Sequence, residues 1–248
     1  MPQVDAVFFD LGDTLVDLRE GDGDYMSRVV LRAERVYDAI APRCHELPDR
    51  REFADKLAHG TEAFYLAALS RQQGVDIYDA LRHLFGEMGI SADDGLVEAG
   101  GDAFCRGNSA LPPLRAGGAE VLAALDARGL RLGVISNTLQ PGWSMDESLE
   151  RRGLLRMFVT RTYSSEMRVA KPHIAIFRSA LEAMGVAPDR AVHVGDRLMV
   201  DVAGAQGAGM RAVLIEVSHR TEPDSDIVPD ARIRELPELL DVLTAWTG

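Results

Sequence analysis

Four aspartates, a serine and a lysine stand in this chain where their chemistry can be combined. Asp10 closes the short apolar run that starts at Val4, and Asp13 follows it three residues later. Ser136-Asn137-Thr138 follows a second apolar run, and Gly195-Asp196 a third, with Asp201 five residues further on. Lys171 sits in Ala170-Lys171-Pro172 and is one of two lysines, the other being Lys56. Carboxylate oxygens suit a hard cation such as Mg²⁺, which takes a small set of oxygen ligands and keeps several waters. An ammonium and a hydroxyl suit the oxygens of an anion. Each residue alone also has an ordinary reading: a serine at a strand end shapes the turn, and Asp201 caps the helix after it.

These residues gain meaning from the elements that must position them. Val4 to Asp10 reads as a buried parallel strand, because an apolar run of that length bounded by turn formers is what a strand covered on both faces needs. Further strands are expected at 130–136, 158–163, 191–195 and 211–215, with a weak one at 231–233. Helices are expected at 118–128, 145–152, 173–184, 201–208 and 236–245. Alternating short strands and amphipathic helices imply βαβ units and a parallel sheet, hence an α/β fold. In such a sheet the ligand lies beyond the carboxyl ends of the strands, which is where Asp10, Ser136 and Asp196 fall.

Between about Tyr25 and Asn108 the pattern is helical instead, with punctuation at Pro42, Pro48, Gly74 and Gly89. Val29, Ala33, Val36 and Ile40 recur at helical spacing, and Arg28, Arg32 and Arg35 mark an adjoining face. That arginine stripe reads as a solvated helix face first and as a site for a substrate carboxylate or second phosphate second. His45, His59 and His83 have no ligand spacing and read as structural or surface residues. Thr221 to Asp230 is the most loop-like stretch.

Composition narrows the function classes. The formal charge of −12 opposes a nucleic-acid backbone or an anionic membrane surface. No segment approaches membrane length, and the N-terminal residues lack the basic region of a secretory signal. Cys44 and Cys105 are too few for a disulfide framework, which points to a reducing, cytoplasmic setting.

Four signatures in order carry a resemblance: Phe8-Phe9-Asp10-Leu11-Gly12-Asp13-Thr14-Leu15, then Val134-Ile135-Ser136-Asn137-Thr138, then Ala170-Lys171-Pro172, then His193-Val194-Gly195-Asp196-Arg197-Leu198-Met199-Val200-Asp201. Together they resemble the haloacid dehalogenase superfamily. The resemblance implies a Rossmann-like core over residues 1–16 and 111–248 and a helical cap of the C1 type over 17–110. Gly21 and Gly23 on one side and Gly107 to Pro113 on the other would be its hinges. It also implies a Mg²⁺-dependent phosphatase acting on a small phosphorylated metabolite. Asp10 would be the nucleophile that becomes an aspartyl phosphate. Asp10, the Gly12 backbone carbonyl and Asp196 would hold Mg²⁺. Ser136, Asn137 and Lys171 would bind the phosphoryl group, and Asp201 would hold Lys171 or metal-bound water.

One position departs from that pattern. Most phosphatases of the family carry a second aspartate two residues after the nucleophile, as acid and then base, but here that residue is Gly12. The nearest carboxylate, Asp13, either reaches back through a turn to act as acid/base or faces the hinge as a capping group. General acid catalysis is worth about 10²- to 10⁴-fold, so its absence would bias the enzyme toward good leaving groups. The alternatives are a 2-haloacid dehalogenase, a phosphomutase, or a catalytically impaired relative that binds without turnover. A phosphonate-cleaving activity would need Lys56, which reads as a solvated surface lysine.

Overall fold

Ala6 to Phe9 bury all four side chains, two toward each face, so the strand they form has to lie inside a sheet covered on both sides. The computed structural model describes residues 3–18, 25–44, 46–106, 112–218 and 225–247. In it β1 (Ala6–Phe9) pairs in parallel with β2 (Arg131–Ser136) on one side and with β4 (Ala191–Gly195) on the other. β3 (Phe158–Tyr163) lies outside β2, and β5 (Arg211–Ile215) and β6 (Ala231–Ile233) lie beyond β4. The order β3-β2-β1-β4-β5-β6 places the three strands that end in Asp10, Ser136 and Gly195-Asp196 side by side at the centre.

Helices cover both faces. Val7 and Phe9 pack toward α5 (Gly118–Ala127), α6 (Gly142–Glu150) and α10 (Glu238–Thr247), through Leu122, Leu125, Leu149, Leu239 and Leu243. Ala6 and Phe8 pack toward α8 (Ile174–Met184), through Ile176, Phe177 and Ala180, and toward Val202 and Ala205. The result is the expected α/β class, a parallel sheet between helical layers. One expected element differs. In place of a helix from Asp201, the chain forms a π-helical segment, Leu198–Ala203, joined to the short α9 (Gly204–Gly207). Asp201 therefore lies inside the helical run rather than before it, and its carboxylate accepts the Arg197 N–H at 3.1 Å instead of capping a helix N-terminus of its own. The helix expected from Met145 starts earlier, at Gly142, and the last one starts later, at Glu238.

The helical stretch between β1 and α5 forms α1 (Tyr25–Ile40), α2 (Arg50–Ser70), α3 (Ile77–Glu87) and α4 (Asp94–Cys105). Val29, Ala33, Val36 and Ile40 are the buried residues of α1, as their spacing requires. They share a core with Phe53, Leu57, Leu81 and Phe85 that is separate from the two cores flanking the sheet. Asp49 caps α2, and Asp76 closes a capping box with Asp79 at the start of α3. Residues 21, 23 and 107–111 of the expected hinges, His45, and residues 221–224 of the expected loop lie outside the described residues.

The turn between α2 and α3 docks on the sheet body. The Ala170 N–H donates to the Gln72 carbonyl at 2.9 Å, and Gln73 bridges Val169 in antiparallel fashion. Arg168 pairs with Asp76 at 3.1 Å and also with Asp79. α7 (Ser164–Met167) leads into this seam, which ends one residue before Lys171.

The helical insert has its own core, so its stability hangs on a few large side chains. Phe53 is fully buried between Tyr37 and Phe85. Phe53→Ala is expected to cost about 3–5 kcal/mol in urea unfolding, while Val159→Ala, at an exposed site, stays within about 0.5 kcal/mol.

Candidate active site

The ends of β1, β2 and β4 bring Asp10, Ser136 and Asp196 to one edge of the sheet, and all three are buried. Lys171 enters from the loop before α8. Its Nζ lies 2.9 Å from Asp10 Oδ1 and 2.6 Å from Asp201 Oδ1. Asp10, Asp196 and Asp201 each offer an oxygen within 4.8 Å of the others. The Lys171 backbone is held by Asn137, whose amide oxygen accepts the Lys171 N–H at 2.8 Å and whose amide nitrogen donates to the Lys171 carbonyl at 3.0 Å. Asn137, expected on the substrate, thus also ties the second strand end to the lysine loop.

Asp201 reaches the cluster because Gly195 has no side chain: a Cβ there would stand 2.2 Å from the Asp201 Cγ. Behind Asp201, His193 Nε2 lies 3.0 Å from Oδ1, and its ring meets Phe177 edge-on at 5.3 Å. Burial holds the His193 imidazole below its usual range, against the pull of Asp201, so the ring is neutral and Nε2 carries the proton that Asp201 accepts. Burial alone would raise the Asp201 carboxyl, but Lys171 and His193 outweigh it and hold it below the usual carboxylate range. Burial raises the Asp10 carboxyl, opposed by Lys171 and reinforced by the Asp201 charge. Burial works against the Lys171 ammonium, yet Asp10 and Asp201 keep it above its usual range.

In their ionised forms the three carboxylates face one ammonium and a neutral imidazole, so the cluster carries two negative charges in excess. Buried charge without compensation is costly, and a divalent cation with oxygen preference removes that excess. The donor set therefore fits Mg²⁺ in both hardness and charge.

The local geometry at Gly12 and Asp13 bears on the acid/base expectation. A Cβ at Gly12 would meet the Leu18 Cδ1 at 2.9 Å, so an apolar side chain fills the space beside this position. Asp13 takes the left-handed conformation, φ 56°, and its Oδ1 accepts the Leu18 N–H at 3.2 Å. Its backbone carbonyl accepts from Arg115 at 2.8 Å. The Asp13 carboxylate thus holds the turn that leads toward the helical insert.

A cavity of about 250 Å³ lies between the sheet edge and the insert. Gly12, Ser136 and Asn137 line its sheet side, and Arg32, Glu62 and Tyr65 are among the residues on the opposite wall. Arg28 and Arg32 both reach it and Arg35 does not, which corrects the reading of the arginine stripe as a solvated face for two of its three members. Lys56 remains exposed and pairs with Glu52 at 2.7 Å, and His59 and His83 are at the surface. Tyr65 and Tyr25 carry no motif and were not legible as site residues. Burial first, then Tyr25 and Asp10, raise the Tyr65 hydroxyl. His193 carried a signal in the sequence, a polar residue inside a buried strand.

Three comparisons bear on this geometry. A family model described as haloacid dehalogenase-like hydrolase matches residues 4–209. A glyceraldehyde 3-phosphate phosphatase of Pyrococcus furiosus is 30% identical over 254 residues, covering 100% of this chain and 96% of that protein. Another of that name, from Methanothermobacter thermautotrophicus, is 42% identical over 108 residues, but the match spans 43% of this chain and 46% of that protein, less than half of either. Among solved structures, a 2-haloacid dehalogenase of Pseudomonas syringae pv. Tomato superposes with a TM-score of 0.72 at 27% identity, over 98% of this chain and 100% of the other. No helix among the described residues is long and apolar enough to cross a membrane.

The neutral His193 gives a signed pH dependence. The unfolded ring protonates near its ordinary value of 6.5 and the folded ring resists, so below that pH the unfolded state binds the extra proton and stability falls with acidification. In metal-free protein the urea midpoint should drop between about pH 7 and 5. His193→Gln, which keeps an N–H for Asp201 and cannot titrate, should flatten that slope.

Proposed function

The chain belongs to the haloacid dehalogenase-like hydrolase family, and from that membership we propose that it is a Mg²⁺-dependent phosphatase of a small phosphate monoester, working through an aspartyl phosphate on Asp10. One observation carries the reading: Asp10, Asp196 and Asp201 converge within 4.8 Å beside a lysine that bridges two of them, next to a cavity lined by Leu11, Gly12, Ser136 and Asn137 and walled on its other side by the helical insert. The relatives named glyceraldehyde 3-phosphate phosphatase support a substrate of three-carbon size. Residues 17–110 act as the cap over a core formed by 1–16 and 111–248.

Asp10, Asp196 and the Gly12 carbonyl would hold Mg²⁺, which would screen the substrate's charge from that of Asp10 and draw electron density from the phosphoryl oxygens. Lys171 counters the burial that raises the Asp10 carboxyl and orients it, and Ser136 donates its hydroxyl to a phosphoryl oxygen. An Asp10 carboxylate oxygen attacks phosphorus as the ester P–O bond breaks, and the leaving oxygen departs with the bonding pair. Water then attacks the aspartyl phosphate, releasing phosphate and restoring Asp10. With Gly12 in place of a carboxylic acid, and Asp13 bound to the Leu18 backbone, the leaving oxygen gets little help from a proton. Substrates whose alkoxide is already stable are therefore preferred.

A second reading, halide displacement from a 2-haloacid, draws on the same glycine and on the dehalogenase superposition. The buried charge excess argues against it, since that chemistry asks for no cation. Phosphate release from an aryl phosphate should require Mg²⁺, and Asp10→Asn should lower it at least about 10³-fold. Metal-independent halide release from 2-chloropropionate would turn the assignment to the second reading.

The glycine gives a sharper test. Rates across aryl and alkyl phosphates should fall steeply as leaving-group pKa rises. Gly12→Asp combined with Leu18→Ala, which clears the space for the new side chain, should flatten that dependence and raise alkyl phosphate turnover by about 10²-fold or more. An unchanged slope would show that the proton already has another source.

A further inference from the structure

The cavity between insert and sheet is lined by three guanidinium groups, and two of them are engaged within the protein. Arg152 donates to the Pro112 carbonyl at 2.6 Å and to Ser148, and Arg28 donates to the Leu18 carbonyl. The carboxylate on the same wall, Glu62, accepts the Tyr25 hydroxyl at 2.8 Å. Arg32 differs. Its guanidinium lies over the Phe104 ring at 5.5 Å, and it has no hydrogen-bond or ion-pair acceptor among the described residues. No carboxylate stands among the groups acting on it, and burial has lowered its pKa, so this cation is held in a partly dry place without an anion.

Polar groups run from Arg32 to the catalytic edge. Tyr25 and Tyr65 line the cavity together with Arg32, and Gly12, Ser136 and Asn137 line its sheet side. A ligand whose phosphoryl group lies at Asp10 and Ser136 thus extends along this wall toward Arg32. Between the two ends the lining is largely apolar, with Leu11, Val29, Phe104, Leu139 and Met145.

We propose that Arg32 forms a subsite for a carboxylate carried by the substrate at the end remote from its phosphoryl group. The inference rests on the phosphatase reading and narrows it to phosphorylated carboxylic acids. The planar fork of a guanidinium matches the two oxygens of a carboxylate, and stacking on Phe104 presents it flat. A singly charged carboxylate fits better than a second phosphate, because one uncommitted cation faces it and Glu62 lies on the same wall. A substrate ending in an aldehyde or hydroxymethyl group leaves Arg32 without a partner, a penalty that a site built around a charge imposes on ligands lacking it.

The test is competition against aryl phosphate hydrolysis by the whole chain with Mg²⁺, using two esters of one carbon skeleton. These are 3-phosphoglycerate, which ends in a carboxylate, and glyceraldehyde 3-phosphate, which ends in an aldehyde. The wild type should bind the carboxylate ester more tightly. Arg32→Met should lower the ratio of the two inhibition constants by about 10- to 100-fold, the weight of a charge-assisted hydrogen bond or two, and Arg32→Lys should recover part of it. A ratio that does not move with Arg32, in protein that still hydrolyses the aryl phosphate, overturns the subsite and leaves the phosphatase reading standing. Tighter binding of glycerol 1,3-bisphosphate, which has a second phosphate and no carboxylate, than of 3-phosphoglycerate, lost in Arg32→Met, overturns the carboxylate assignment. No aryl phosphate hydrolysis in the wild type overturns the phosphatase reading itself. Turnover left by Arg32→Met reports that the variant is folded.

Discussion

Three carboxylates buried around a single ammonium are the constraint on which this molecule turns. Such a cluster stands only where each charge is placed to within a hydrogen-bond length, because the desolvation cost of a misplaced partner exceeds anything the surrounding packing returns. The fold meets that demand with short tethers. Asp10 and Asp196 follow adjacent strand ends, so their separation is set by the spacing of a parallel sheet. Lys171 is held through its backbone by Asn137, and Asp201 is held by Lys171, His193 and the Arg197 N–H. Even the empty side of Gly195 belongs to the arrangement, since any side chain there would push Asp201 out.

The same logic explains which residues were legible in the sequence. Asp10, Ser136 and Asp196 stand out because a strand end is a local event: an apolar run stops and a polar residue faces the ligand edge. Lys171 stood out because lysine is so scarce here. The four buried positions of α1 followed from their spacing alone. The wall opposite the carboxylates was not legible. Tyr25, Glu62 and Tyr65 come from two helices whose mutual packing decides which faces turn to the cavity, and no local pattern encodes that. Arg32 shows the difficulty well: from the sequence it belongs to a stripe of three similar arginines, and only packing separates it from Arg35. The π-helical segment around Asp201 was missed for a related reason. Its geometry answers to Lys171 and His193, residues far away in sequence.

Gly12 marks where this chain parts from the pattern it otherwise obeys. In place of a proton-carrying side chain there is a leucine methyl, and the neighbouring carboxylate of Asp13 is turned toward the backbone that leads to the insert. The change is local and leaves the cluster of Asp10, Asp196 and Asp201 intact. On the reading proposed above, acid/base function and charge stabilisation are thus separable parts, one confined to a single residue and the other spread over four segments of chain.

The seam between the α2–α3 turn and the strand-side segment at 164–170 bears on how reagents come and go. A helical body joined to its partner by two crossing chains alone would swing as a door on one edge. Here a further point of attachment runs from Gln72 to Ala170 and from Arg168 to Asp76 and Asp79. Because that attachment ends one residue before Lys171, a wide excursion of the helices would tug on the lysine itself. The contact that holds the helices thus also holds the stretch of backbone that delivers the lysine.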